Sequence, residues 1–328
     1  MLQAPSTLSN DQIALWETLT TRLVTLDERA WGGKADGPTI ENWLRNFVGR
    51  TGHNPDVERL HALYLLSQFM YFGSREIRVL LKAMYRELYL LPLAQEIRAQ
   101  AVDRADFLNK MQDARESTKF LGVGNPSESG VHLLYYFRQE NGLSKNAFLD
   151  SAQIYKITES NGTRRRVVRH TNIKRYVFLD DMCGSGETAI RYSNDLVPEL
   201  ISERPDVELY YFSIFATSAG LERIRRETAF GNRCGAVYEL DESYKWSKAN
   251  SRYLLGLAPG LDTKLLVDVA STYGATLLPD HPMGYEDSQL LLGFFHNTPD
   301  NTLPVIWCDP ENGAAGHWYP IFRRYPKV

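Results

Sequence analysis

Residues 176–189, YVFLDDMCGSGETA, place an apolar run, two adjacent aspartates and a glycine-rich turn directly before a helix-forming stretch. The N–H groups at a helix N-terminus bind anions, and Gly184, Ser185, Gly186 and Glu187 can present such donors, with the hydroxyls of Ser185 and Thr188 beside them. Asp180 and Asp181, at the end of the apolar run, can accept hydrogen bonds from hydroxyl groups or face a hard cation such as Mg²⁺. Three sequence patterns come close to this stretch, and residues elsewhere in the chain decide among them.

A Walker phosphate loop is excluded, because GSGETA lacks the lysine of GxxxxGK[ST]. The DPFxGSGTT of amino-methyltransferases is closer, and LDDMCGSGETA matches its glycine and serine positions. Rossmann-type folds put an acidic residue at the end of the following strand to hold ribose hydroxyls. Here that strand ends in Phe215-Ala216-Thr217. No NPPY or DPPY occurs either, the nearest sequences being Asn125-Pro126-Ser127, Asp280-His281-Pro282 and Asp309-Pro310-Glu311. An S-adenosylmethionine-dependent methyltransferase stays as the weaker alternative, and a plain strand-to-helix turn capped by aspartates as the bland one.

The stretch resembles the phosphoribosyl pyrophosphate (PRPP) motif of type I phosphoribosyltransferases: an apolar strand, two acids, two intervening residues, then a small-residue loop ending in Thr before a helix. The resemblance implies that Asp180 and Asp181 hold two ribose hydroxyls, where Mg²⁺ carrying the pyrophosphate approaches, and that 184–188 anchors the 5-phosphate. The family's usual pattern has threonine at the place of Gly184 and glycine at that of Glu187. A glutamate turned inward would repel the phosphate; turned outward, only its backbone matters. The family also binds pyrophosphate on a loop after an earlier strand. KFLGVGNPSESGVHLL is such a strand, loop and helix, and Gly124, Asn125 and Ser127 lie in its loop, without the basic residue that many members carry there. A mobile loop between the two strands before the motif covers the family's site. Its counterpart is TESNGTRRRVVRHTN (158–172), with Asn161-Gly162 as hairpin tip and Arg164, Arg165, Arg166 and Arg169 following. An arginine there, with Arg165 as the catalytic candidate, would stabilise charge developing on a departing pyrophosphate. A solvated hairpin and a patch touching nucleic-acid phosphates are the other readings of the same residues.

These residues need a sheet to position them. After residue 115 short apolar runs alternate with helical ones, predicting strands at 119–124, 147–155, 176–181, 209–217, 235–240 and 263–270 and helices at 130–140, 187–203 and 219–226. The strands read as apolar on both faces, as sheets covered by helices must. Ligands in such sheets bind at the carboxyl ends of the strands, hence at the turns after Val123, Asp181, Thr217 and Leu240. From Asp11 to about Met111, apolar residues recur at spacings of three and four, with Ser9 and Ser74 placed as N-caps. The fold class predicted is α/β, a phosphoribosyltransferase-like (Rossmann-like), mainly parallel sheet with helices on both faces over 115–328, preceded by an all-α N-terminal domain over 1–114. His53 and His61, eight apart, match no metal motif and read as packing residues. Tyr244 and Trp246 suit either stacking on a flat acceptor or core packing, and His296, Asn297 and Asn301 lie among apolar residues late in the chain.

The 328 residues carry 37 Lys and Arg against 40 Asp and Glu, so the bulk charge attracts neither nucleic acid nor anionic membrane. No signal-peptide pattern and no run of roughly 18 apolar residues occurs, which predicts a cytoplasmic protein. Cys183, Cys234 and Cys308 read as three reduced thiols. The helical N-terminal half, LDDMCGSGETA and the late FFHNTPDNTLPVIW together are similar to the phosphoribosyltransferase-like effectors of bacterial conflict systems, including those encoded beside retron reverse transcriptases. That resemblance implies a toxin of anti-phage defence, held inactive by a reverse transcriptase, nucleic acid or helix-turn-helix protein; whether it forms a homo-oligomer is left open by the sequence. The reading reached is an effector that binds PRPP or a ribose-5-phosphate nucleotide with Mg²⁺ and transfers or cleaves at ribose C1. Its rival is a non-catalytic nucleotide-sensing or assembly subunit.

Overall fold

A computed structural model describes residues 2–124, 129–160, 162–309 and 318–324. Ser9 caps α1 (Asn10–Leu26) reciprocally: Gln12 N–H donates to its Oγ (3.4 Å) and Ser9 N–H to Gln12 Oε1 (3.1 Å). Asp36 and Asn54 cap α2 (Gly37–Leu44) and α3 (Pro55–Ser67), each with proline in the first turn. A short strand, β1 (Met70–Phe72), is followed by α4 (Ser74–Ala83), α5 (Leu91–Gln100) and α6 (Arg104–Glu116). Ser74 is the first residue of its helix.

Next come β2 (Thr118–Gly122), α7 (Ser129–Glu140), β3 (Tyr155–Ser160), β4 (Thr163–Val168), β5 (Arg175–Cys183), α8 (Glu187–Glu203), β6 (Glu208–Thr217), α9 (Ser218–Glu227) and β7 (Cys234–Leu240). Strands β2, β5, β6 and β7 form one parallel sheet in that spatial order, while β3 and β4 make a separate antiparallel hairpin. On one face Ile190, Val197 and Leu200 of α8 and Leu221 and Ile224 of α9 pack with Tyr176, Phe178 and Tyr211. The other face is aromatic: Phe120 lies 5.9, 5.4 and 5.3 Å from the rings of Tyr85, Tyr89 and Phe137. Both faces are therefore covered, as the apolar strands require.

Two predicted strands are something else. Residues 147–155 form 3₁₀ turns at Lys145–Ala147 and Ser151–Gln153, the second closed by an Asp150–Gln153 capping box, and only Phe148 bridges to the sheet, at Phe120. Side chains that bond their own backbone compete with a strand ladder. Residues 263–270 begin a helix, α10 (Thr263–Leu277), capped by Asp262, whose buried Leu265, Leu266, Val269, Ala270, Tyr273, Gly274 and Leu277 recur at helical spacing. A short apolar run does not distinguish a buried strand from a buried helix. After it come β8 (Leu292–Phe294), paired in parallel with β1, and α11 (Pro304–Trp307).

The chain divides into two compact units, Arg78–Leu240 and Met1–Ile77 with Asp241–Val328, so the division falls within α4 instead of at 114/115. The last helices of the predicted N-terminal domain join the sheet's unit, and the chain's two ends share one core. That core holds Trp31, Trp43, Phe47, Trp246 and Tyr273, with Trp43 Nε1 donating to Val305 O (2.8 Å). Glu58, fully buried in it, accepts from Gly49 N–H (2.7 Å), Thr51 N–H (2.7 Å), Thr51 Oγ1 (2.6 Å) and Tyr273 OH (2.5 Å). Burial alone would raise its pKa, and the donors outweigh burial and hold it low.

His61 is a packing residue. Asp262 N–H donates to its Nε2 (3.0 Å), which assigns the proton to Nδ1, where Val57 O accepts (2.7 Å). Burial holds its pKa below the ordinary 6.5. The unfolded chain then binds the proton first, so stability present above about pH 6.5 falls as pH drops through the native value, by at most about 1.4 kcal/mol per pH unit. Urea unfolding at pH 7.5 and 5.5 should show a larger loss for wild type than for His61→Gln; equal losses would refute this role. Among the described residues no helix is long and apolar enough to cross a membrane, and the three cysteines are unpaired and buried.

Candidate functional site

Strand β5 runs two residues past its predicted end, so Asp180 and Asp181 lie within it, with Asp180 opposite Ser213 of β6. Both are buried, at 9% and 7% exposure. Asp180 accepts from Tyr211 OH at Oδ2 (3.0 Å) and from Asp181 N–H at Oδ1 (2.9 Å). Burial first, and then the charge of Asp181, push the Asp180 carboxyl well above the ordinary carboxylate range. A hydroxyl donor or a cation at the pair would compensate this buried charge. The Cys183 thiol is pushed up to about 12, by burial and then by Asp180, so it is not a nucleophile at neutral pH.

Beyond β5 the loop turns at Gly186, whose φ of 79° glycine adopts without strain and which supplies no side chain to cap α8. Helix α9 holds this loop from behind. Thr217 Oγ1 donates to Gly184 O (2.6 Å) and accepts from Gly220 N–H (2.9 Å), and Arg223 Nη1 donates to Ser185 O (3.3 Å). Two of the loop's carbonyls are thereby tied back, while at the start of α8 the Glu187 N–H donates to Ser185 Oγ (3.4 Å), a bond an anion there would have to displace. The sequence marks the turn after Thr217 and the helix that follows it, but not that Thr217, Gly220 and Arg223 clamp this loop. The Glu187 side chain is exposed and Thr188 is half-buried.

Gly124, at φ 95°, follows β2 on the strand neighbouring β5 and lines a cavity of about 300 Å³ with Gly122, Phe148, Asp150, Ser151 and Gln153. A Cβ on Gly130 would stand 2.7 Å from Val123 O and 3.0 Å from Leu179 O, so α7 starts hard against the ends of β2 and β5. Asn125 and Ser127 lie outside the described residues. In the hairpin, Arg166 pairs with Glu199 of α8 (3.1 Å), its guanidinium 3.9 Å from the Tyr155 ring centroid, and Arg164 pairs with Glu159 (3.2 Å). Arg165 is exposed opposite Thr158, and among the described residues no hydrogen bond or ion pair joins it to the acid pair. Trp246 is fully buried with Nε1 donating to Leu266 O (3.1 Å), which makes it a core residue, while Tyr244 lies under the Arg252 guanidinium at 3.3 Å. Among the described residues no group of three or more His, Cys, Asp or Glu is placed to hold a metal ion.

No curated protein matches this chain. Solved structures similar to it include a Helicobacter pylori xanthine-guanine-hypoxanthine phosphoribosyltransferase, at 12% identity and TM-score 0.23 over 52% of this chain and 87% of that one. A purine phosphoribosyltransferase from Pyrococcus horikoshii is similar at 14% identity and TM-score 0.24, over 52% of this chain and 86% of its own. The family model PRTase-CE matches residues 40–324, which take in all of the Arg78–Leu240 unit, with the parallel sheet and its acid pair, and most of the other unit. The chain thus belongs to the phosphoribosyltransferase-like family PRTase-CE.

Proposed function

We propose that the site at the carboxyl ends of β2 and β5 binds a 5-phosphoribosyl group, as PRPP or a ribose-5-phosphate nucleotide, and acts at ribose C1. The observation that carries this is the buried acid pair beside a loop two of whose carbonyls are tied back by Thr217 and Arg223. In this reading Asp180 and Asp181 accept from the ribose hydroxyls, 184–188 takes the 5-phosphate, and the turn from Gly124 takes the pyrophosphate. The bond from C1 to the pyrophosphate oxygen, or to the nitrogen of a leaving base, breaks with its electron pair going to that group; the carboxylates stabilise the cationic sugar, and an acceptor base or water then bonds C1 and gives up its proton to solvent. Arg165, on the hairpin, closes on the departing anion.

Two adjacent carboxylates with oxygen donors only suit Mg²⁺, which takes one or two carboxylates and completes its shell with substrate phosphates and water. Asp180 and Asp181 would hold it, and it would supply neutralisation of pyrophosphate charge. The wider role we propose is a cytoplasmic effector in anti-phage defence, restrained by partner proteins or nucleic acid. The second reading, a nucleotide-sensing subunit without turnover, is favoured by the depth at which Asp180 is held against Tyr211.

Calorimetry with PRPP and Mg²⁺, followed by a pyrophosphate-release assay with nucleobases, tests the proposal. Binding with release is expected. Binding without release leaves the sensor, and no binding of PRPP together with binding of S-adenosylmethionine would overturn both in favour of a methyltransferase.

A further inference from the structure

The late FFHNTPDN stretch finds no use in the site above, and the structure gives it one. Its turn is firmly built: Phe294 N–H donates to Asn297 O (2.9 Å), Phe295 N–H to Phe72 O (2.9 Å) and Thr298 N–H to Asn297 Oδ1 (2.9 Å). Arg324 braces it from outside, donating to Thr298 O (2.9 Å) and Asp300 Oδ2 (2.8 Å). The turn thereby presents His296 and Asn297 to a cavity of about 360 Å³ that Lys34, Tyr71, Phe322 and Arg323 also line. That volume lies in the range of small-molecule sites, roughly 300–1,000 Å³.

The lining offers two chemistries. One wall ends an aromatic column, Phe69 on Phe322 on Tyr71, with centroids 4.5 and 5.3 Å apart and planes within 26° and 28°. His296 adds a second flat surface, stacked on Phe294 at 5.4 Å and 20°. Such faces favour a planar ring. At the rim stand two exposed cations: Lys34, which has no ion-pair partner among the described residues, and Arg323, which has only a 3.5 Å contact with Asp309. The nearby Asp300 is already paired with Arg324. Flat walls and a cationic rim together suit one class of molecule.

We propose that this cavity is a second binding site, for a nucleoside monophosphate, its base against Tyr71 and His296 and its phosphate at Lys34 and Arg323. None of these residues belongs to the Arg78–Leu240 unit that carries the acid pair, so the proposal does not rest on the function proposed above. The test is photolabelling of the full chain with 8-azidoadenosine and 8-azidoguanosine 5′-monophosphates, with mass spectrometry of the digested protein. Label is expected on peptides containing Tyr71 or 294–298, displaced by the unmodified nucleotide. Reversing the rim charges with Lys34→Glu and Arg323→Glu, both exposed and outside the core, should weaken labelling about tenfold. Replacing Asp180 and Asp181 should leave it intact. Label confined to peptides from 118–240, label indifferent to the rim charges, or none at millimolar probe would each overturn the proposal, whatever PRPP does.

Discussion

Asp180→Asn combined with Asp181→Asn is expected to lower affinity for PRPP with Mg²⁺ by at least about 100-fold while leaving the chain as stable as wild type or more so. The loss follows from two hydrogen bonds to charged acceptors, each contributing about 1.5–3 kcal/mol. The stability follows from the raised pKa of Asp180. Its native value lies above the ordinary 3.8, so its contribution to folding is full below that pH and is lost as pH rises through the native value. Asparagine, an uncharged mimic of the protonated acid, removes the loss. Denaturant unfolding at pH 5 and pH 8 should therefore show a decline for wild type that the double variant lacks. Unchanged PRPP affinity would sink the site assignment; parallel pH dependence would sink the account of the buried pair.

Gly220→Ala should damage the phosphate loop through α9. A Cβ there would stand 2.2 Å from Gly184 O, 3.0 Å from Thr217 Oγ1 and 3.1 Å from Cys183 Sγ. Alanine favours a helix over glycine by about 1 kcal/mol, but overpacking of this kind costs about 1–3 kcal/mol, so the net change is destabilising. Because the nearest atom belongs to the loop's backbone, relief moves the loop itself, and ribose-5-phosphate affinity should fall by about tenfold or more. Thr217→Val keeps the volume and removes both hydrogen bonds, separating loss of the tether from steric push. Wild-type ribose-5-phosphate affinity in both variants would show that α9 does not position the loop.

Much of the site was legible because its parts are written contiguously. Strand, acid pair, small-residue loop and helix succeed one another from Tyr176 to Glu203, and each has a local signature. The sheet's strands were legible because burial on both faces makes them apolar throughout. That same uniformity hid α10, where an apolar run of strand length opens a longer helix. The clamp of Thr217, Gly220 and Arg223 was out of reach for another reason: its partners lie 33 and 38 residues away, and no local pattern announces a tertiary hydrogen bond. The division of the chain was hidden likewise, since α5 and α6 look like their predecessors and only packing assigns them to the sheet's unit.

A core built from both ends of the chain also has a consequence for biosynthesis. Residues before Arg78 leave the ribosome without Tyr273 and Phe322, the later ring partners of Phe47 and Trp31, which follow only after all of 78–240 has been made. At translation rates of about 5–20 residues per second, that interval is on the order of ten seconds. The nascent N-terminal helices must spend it as exposed apolar surface, which makes them a natural client for a ribosome-associated chaperone, while the parallel sheet can close before them.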